Sequence, residues 1–279
     1  MSSLPAAPTP FEFRPTDRQV DLPGFGALNL RLYGCGTKCA GVPLVLHFHG
    51  GAFTGGSLDE GAAVAQSLAA AGGAVVSLDY PLAPARPFPQ AIEAGYAALQ
   101  WLQAQRKPLA SARAPLFVAG EEAGGNLAAA VAMVARDRGG PDLAGAILFS
   151  PMVDMCVATA SQRGARNGPV GCRWADGWRS YLARDDDAVH PYAVPGRSLR
   201  LAGLPPMLLF SAADDPLRDE TQDFARRLRG GGVAAELQVL DTPTGWPGSY
   251  RQPAAGWADR VHDPLHRFLH STSSRGNPV

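Results

Sequence analysis

Val118-Ala119-Gly120-Glu121-Glu122-Ala123-Gly124-Gly125-Asn126 joins a strand-like apolar run, Pro115 to Ala119, to an alanine-rich helical run, Gly125 to Arg136. A tight turn of the form G-x-S-x-G between a buried strand and a helix holds its middle residue on a strained backbone, side chain out over the sheet. Gly120-Glu121-Glu122-Ala123-Gly124 has this form with one change. Glu122 puts a carboxylate where acyl-transfer chemistry needs a hydroxyl. The turn therefore predicts an open α/β sheet and, on the same five residues, excludes the ordinary nucleophile.

Working outward, strand-like and helix-like segments alternate along most of the chain, which predicts an α/β fold with a mostly parallel central sheet of about eight strands and helices on both faces. Strands are expected at Arg18–Leu22, Ala27–Leu32, Val42–Phe48, Ala74–Leu78, Gly145–Ser150, Met207–Ser211 and Ala235–Leu240, besides the one before the turn. Helices are expected at Glu60–Ala71, Pro89–Gln105, Asp219–Arg229 and Ala254–Leu269 as well as after it. The runs LVLHF, AVVSL, AILFS and PMLLF are apolar without alternation, as strands covered on both faces should be. The stretch 156–200, rich in Gly, Arg, Asp and Pro with one helix-like piece at Arg173–Ala183, interrupts the alternation. It reads as a cap-like insertion within a single domain spanning 1–279, placed at the carboxyl ends of the strands, where pockets of open α/β sheets lie.

The composition excludes several function classes. The 279 residues carry 25 basic and 25 acidic side chains, a formal net charge of zero, so no nucleic-acid or anionic-membrane partner is indicated. The first residues, MSSLPAAPTPFEF, lack a basic segment followed by an apolar one, and no apolar run has the roughly eighteen residues of a membrane span. Together with four cysteines at 35, 39, 156 and 172 that read as reduced thiols, this predicts a cytoplasmic protein. Nothing implies a metal or a cofactor.

His47-Phe48-His49-Gly50-Gly51-Ala52-Phe53 follows directly on a predicted strand. Consecutive glycines there let bare backbone N–H groups approach a ligand oxygen, the construction of an oxyanion hole. Taken with this loop, the turn at Glu122 resembles the hormone-sensitive-lipase-like esterases of the α/β-hydrolase fold. The HGGG-type loop of that family is similar to His49-Gly50-Gly51-Ala52. Its D-Y-R-L-A-P signature is similar to Asp79-Tyr80-Pro81-Leu82-Ala83-Pro84, continuing to Pro87-Phe88-Pro89. Its G-D-S-A-G-G-N resembles Gly120 to Asn126, and its H-P-Y and D-P-L-R-D-E stretches resemble His190-Pro191-Tyr192 and Asp215 to Glu220.

The resemblance implies a Ser-Asp-His triad, an oxyanion hole at Gly50, Gly51 and Ala123, and a pocket at His49, Ala52, Phe53, Trp174 and Trp178. The acid position matches at Asp215. The nucleophile position is Glu122. The family histidine belongs in the loop Asp241-Thr-Pro-Thr-Gly-Trp-Pro-Gly-Ser-Tyr250, which contains none, and Trp246 is assigned to the vacated place. His262 falls too far along, in the final helix, and His190 reads as structural. With two of three members gone, Asp215 has no imidazole to orient.

The Glu122 carboxylate, at a helix N-terminus, is expected to reach into the oxyanion hole and accept its donors. Three uses are open to it: a covalent nucleophile; a general acid or base in an elimination, cyclisation or isomerisation; or no catalysis, in a capped pocket that binds a small apolar or carbonyl-containing ligand or a protein partner. Residual hydrolysis of reactive esters stays open beside them, as does a homodimer. Strand-like sequence begins near residue 18, so family-type N-terminal cap helices are shortened, which predicts a pocket open on one side.

Overall fold

In the computed structural model, which describes residues 14–36, 42–164, 169–252 and 256–271, five apolar runs form five adjacent strands in which every residue is buried. They are β3 (Leu44–Phe48), β4 (Ala74–Leu78), β5 (Leu116–Glu121), β6 (Gly145–Phe149) and β7 (Met207–Ala212), and they pair in parallel. Outside them lie β1 (Thr16–Leu22) and β2 (Gly26–Tyr33), an antiparallel hairpin joined to β4, and β8 (Ala235–Leu240), parallel to β7. The sheet order is β1-β2-β4-β3-β5-β6-β7-β8. Of the two edges, β1 is exposed over most of its length and β8 is partly exposed, unlike the central five.

Side-chain alternation along the strands splits the core in two. Leu44, Leu46 and Phe48 of β3 pack with Leu127 and Val131 of α4 (Ala123–Asp137), with Leu99 and Leu102 of α2 (Gln90–Ala104), and with Phe224 and Leu228 of α7 (Arg218–Gly230). Val45, Phe117, Ile147 and Leu208 face the other way, onto α1 (Ala62–Ala70) and α8 (Trp257–Ser271). On α8 the buried residues Val261, Leu265, Phe268 and Leu269 recur at helical spacing. Helices thus cover both faces. Short α3 (Arg106–Leu109) ends the connection from α2 to β5.

The turn between β5 and α4 is built on close approach. A Cβ at Gly124 would stand 2.0 Å from the Phe48 carbonyl oxygen, and one at Gly120 would stand 2.3 Å from the Gly124 oxygen. Only glycine lets α4 start against the end of β3. The strand runs on through Glu121, which pairs with Phe149, and the helix begins at Ala123, so each extends beyond its sequence-predicted end toward Glu122. This contact sets the loop after β3 beside the turn.

Within 156–200 the sequence predicts one helix; the structure has α5 (Ala160–Gly164), α6 (Pro169–Tyr181) and two 3-10 turns, Asp185–Val189 and Pro195–Arg197. Ser161 ties α5 to α7, its N–H donating to Asp219 and its hydroxyl to the Pro216 carbonyl. Among the described residues no helix is long and apolar enough to cross a membrane.

Candidate functional site

Glu122 occupies the tip of the turn with φ 53° and ψ −116°, a left-handed conformation that costs a non-glycine residue about 1–3 kcal/mol. The surrounding backbone pins it there. Its N–H donates to Phe149 O at 3.0 Å, and its carbonyl accepts from Asn126 and Met152. Asn126, wholly buried, donates in turn to Met152 O and Ala193 O, anchoring the first turn of α4.

So held, the carboxylate reaches across to the loop after β3. Oε2 accepts the Gly51 N–H at 2.6 Å and the Ala52 N–H at 3.3 Å. Oε1 accepts the Trp174 indole N–H at 2.5 Å and the Arg173 guanidinium at 3.2 Å, both from α6. Gly51, Ala52 and Phe53 all have positive φ, and this run of left-handed residues turns successive N–H groups toward one point.

The donors differ from the sequence expectation of Gly50, Gly51 and Ala123. Glu121 Oε1 takes the Gly50 N–H at 2.9 Å, and Ala123 is not among the donors to Glu122. The Glu122 carboxylate takes the N–H groups of Gly51 and Ala52. Glu121 itself is buried, its Oε2 hydrogen-bonded to His47 Nε2 at 2.8 Å, while His47 Nδ1 meets Ser77 Oγ at 2.9 Å. This buried row braces the ends of β3, β4 and β5 from below.

Asp215 lies just past β7, 2% exposed. Its Oδ1 accepts the Leu217 N–H, and its Oδ2 accepts the Ser150 hydroxyl and, at 3.5 Å, that of Ser211. Ser150 Oγ also lies 2.8 Å from the Tyr250 hydroxyl. A serine has one proton to give, and it goes to Asp215, so Tyr250 is the donor in that pair. Ser150 and Tyr250 have positive φ like Glu122, Ala52 and Phe53; every non-glycine residue of that kind among the described residues lies in or beside the site. Burial pushes the Asp215 carboxyl up to about 6, against the hydrogen bonds from Ser150 and Leu217. Burial and the Asp215 charge raise the Tyr250 phenol well above its ordinary value.

Glu122, Asp215, Ser150 and Tyr250 surround a cavity of about 30 Å³, also lined by Gly50, Glu60, Glu121, Arg173, Trp174, Trp246 and Arg251 among others. That holds one or two waters, not an ester. Arg173 and Trp174 and the loop carrying Trp246 and Tyr250 line and narrow this cavity. Of the five pocket residues expected from the sequence, Trp174 alone lines this cavity. Ala52 supplies backbone. His49 stacks on Tyr80 at 4.3 Å, where burial lowers its pKa. Phe53 is turned under α6, against Trp178 at 5.0 Å and Tyr181 at 4.0 Å.

Trp246, assigned to the vacated histidine place, lies 5.0 Å from Trp174 ring to ring; Tyr250 of the same loop is the residue bonded into the Asp215 network. His262 bonds Asp263 on α8, and His190 packs on Phe88. Sequence reasoning missed Arg173, Ser150 and Tyr250. Ser150 directly follows β6, just before Pro151, but only the fold brings it to Asp215. Among the described residues no cluster of His, Cys, Asp and Glu could hold a metal ion; Cys39 lies outside them.

A strained turn above the carboxyl ends of a parallel sheet, facing a backbone N–H pair and an acid after β7, is the architecture of the α/β hydrolases. Residues 45–243 match the family model described as alpha/beta hydrolase fold, and the chain belongs to that family, in its hormone-sensitive-lipase-like esterase branch. It is similar to esterase LipI of Mycobacterium tuberculosis (34% identity, covering 87% of this chain and 77% of the relative). It is also similar to the gibberellin receptor GID1A of Arabidopsis thaliana (31%, covering 82% and 69%). Among solved structures it superposes on esterase LipW of Mycobacterium marinum with a TM-score of 0.81 at 32% identity, covering 94% of this chain and 82% of that one.

Proposed function

We propose that this protein is a small-molecule-binding pseudo-hydrolase: an esterase scaffold that no longer cuts esters by a serine mechanism. One observation carries this reading. Glu122 Oε2 stands on the Gly51 and Ala52 N–H groups, the donors a substrate carbonyl would need. The elbow side chain is thus both unable to act as a hydroxyl nucleophile and lodged where the oxyanion would form.

Two further features support it. No histidine is bonded to Asp215 among the described residues; serine hydroxyls and a backbone N–H take its oxygens. Four donors also fill the roughly four acceptor positions of the Glu122 carboxylate, leaving none for the proton of a substrate, which disfavours general acid–base chemistry there. Likeness to a receptor as well as to esterases fits a scaffold used for binding. In this reading the chain is one domain, and 156–200 is its cap, contributing Arg173 and Trp174 as one wall of the cavity.

The test offers purified protein short p-nitrophenyl esters and a serine-directed fluorophosphonate. No turnover above the buffer rate and no stoichiometric labelling are expected. Prompt hydrolysis, or one label per chain, would overturn the reading.

A further inference from the structure

The carboxylates around the cavity are not equally compensated. Arg173 pairs with Glu122, Arg251 pairs with Glu60 at 2.6 Å, and Glu121 meets His47. Asp215 has no cationic partner among the described residues. It is almost fully buried and its bonds come from two hydroxyls and one backbone N–H, so it has one acceptor position left of roughly four. Burying a carboxylate without a counter-charge is unfavourable, and its raised pKa reflects that.

The remaining walls are aromatic. Trp174, Trp246 and Tyr250 line the same cavity, and Trp246 is only partly buried, at its mouth. An anionic side chain beside aromatic faces is the environment that takes an organic cation, because ring faces attract positive charge and more strongly so where water is excluded. The volume of about 30 Å³ suits a small ammonium head and not a larger group.

We propose that this cavity receives the ammonium head of an organic amine, which pairs with Asp215 while its apolar body lies along Trp246. The proposal rests on the pseudo-hydrolase reading and names the ligand class for that site. The charge left on Asp215, with no imidazole to orient, becomes the recognition element. Anions are disfavoured, since both arginines at the cavity are already paired and four carboxylates face it.

The test is calorimetric titration at about pH 7.5 with benzylammonium chloride, and with benzyl alcohol and sodium benzoate as neutral and anionic matches; at that pH the amine is charged and Asp215 is largely ionised. Benzylammonium is expected to bind roughly ten-fold or more tightly than the alcohol, an advantage that a paired charge readily supplies. Asp215→Asn should bring the two to parity, and Trp246→Ala should weaken the amine several-fold more than Trp246→Phe does. Parity in the wild type, preference for benzoate, or an Asp215→Asn variant that keeps the preference would each overturn the proposal. Circular dichroism and a melting curve confirm that each variant folds. Ester turnover would overturn the pseudo-hydrolase reading instead; parity without turnover overturns the amine site alone.

Discussion

Glu122 Oε2 lies 2.6 Å from the Gly51 nitrogen, a charge-assisted hydrogen bond between the tip of the strand–turn–helix and the loop after β3. The two elements are thereby tied, and α6 is tied to them through Trp174 and Arg173. The carboxylate joins three elements: the turn, the loop after β3 and α6. Glu122→Gln should therefore destabilise the fold: its amide nitrogen brings a donor against either the Gly51 and Ala52 N–H groups or the Trp174 and Arg173 donors. A loss of about 1–3 kcal/mol is expected, the usual cost of an unsatisfied group at a buried charged site. Urea denaturation measures it, and a variant as stable as the wild type would remove the junction role.

Trp174→Phe keeps an aromatic ring against Trp246 but removes the indole N–H together with the second ring of a buried side chain. One of the two donors to Oε1 disappears, leaving Arg173 at 3.2 Å. The expected loss is about 1–2 kcal/mol. If the donors act through Glu122 alone, Trp174→Phe and Glu122→Gln should be non-additive, with a coupling of at least about 0.5 kcal/mol in a double-mutant cycle. Strict additivity would show that Trp174 contributes by packing only.

Glu122→Ser by itself restores a hydroxyl and frees the Gly51 and Ala52 donors, but supplies no base. It should hydrolyse p-nitrophenyl acetate no faster than wild type within about ten-fold, because a serine hydroxyl needs a general base to attack. Adding Trp246→His puts an imidazole on the loop that lines the cavity with Asp215. Activity of the double variant should exceed the serine variant by at least about 100-fold in kcat/KM, the low end of general-base assistance. Tyr250→His is the informative companion, since Tyr250 and not Trp246 touches the Asp215 network. Equal rates in all variants would mean that supplying a serine and a histidine at these positions is not enough for hydrolysis.

Asp215 makes stability depend on pH in an unusual direction. Its folded pKa of about 6 stands above the ordinary 3.8, so between those values the folded protein holds a proton that the unfolded chain has released. Stability from this group is therefore greatest below about pH 4, falls as pH rises through 6, and is flat above about 7. Glu220, buried and raised well above its ordinary value, slopes the same way. Asp215→Asn removes the ionisation and should be more stable than wild type above pH 7, by up to about 3 kcal/mol on the linkage relation, with the gap closing toward pH 4. Urea titrations at several pH values give the difference. A gap that does not change with pH would mean that Asp215 is compensated in the folded state.

The central sheet was legible because its strands are buried on both faces and read as unbroken apolar runs; the two-way split of the core follows from the same strands' alternation. Gly120, Glu122 and Gly124 announced the turn, because close packing and strain leave few residue choices there. Ala52, a donor to Glu122, was not marked as one by the sequence. Backbone direction in a run of left-handed residues such as Gly51-Ala52-Phe53 depends on φ, and an alanine gives no sign that it will adopt φ 51°. Arg173, Ser150 and Tyr250 could not be found from spacing, since their meeting depends on how α6, β6 and the 241–250 loop converge on one point. Burial decided the rest: Phe53 and Trp178 look like pocket aromatics in sequence and are core in the fold.

Gly124 tests the one feature on which both fold and site depend. A methyl group there would sit 2.0 Å from Phe48 O and 2.5 Å from His49 O, both backbone atoms that cannot swing aside. To admit it, α4 must lift from β3, which would pull Glu122 away from Gly51 and Ala52 as well. Gly124→Ala should cost about 3 kcal/mol or more, at or above the top of the usual range for overpacking, because the contact is to rigid backbone, and despite alanine's better helix propensity. Gly230→Ala is the control: it ends α7 with nothing within 4 Å of the added carbon, and the change should stay within about 0.5 kcal/mol of wild type or stabilise slightly. Denaturation midpoints of the two variants decide the matter. A tolerated Gly124→Ala would mean that β5–α4 can shift on β3, and the bond from Glu122 to Gly51 could not then be what fixes the turn.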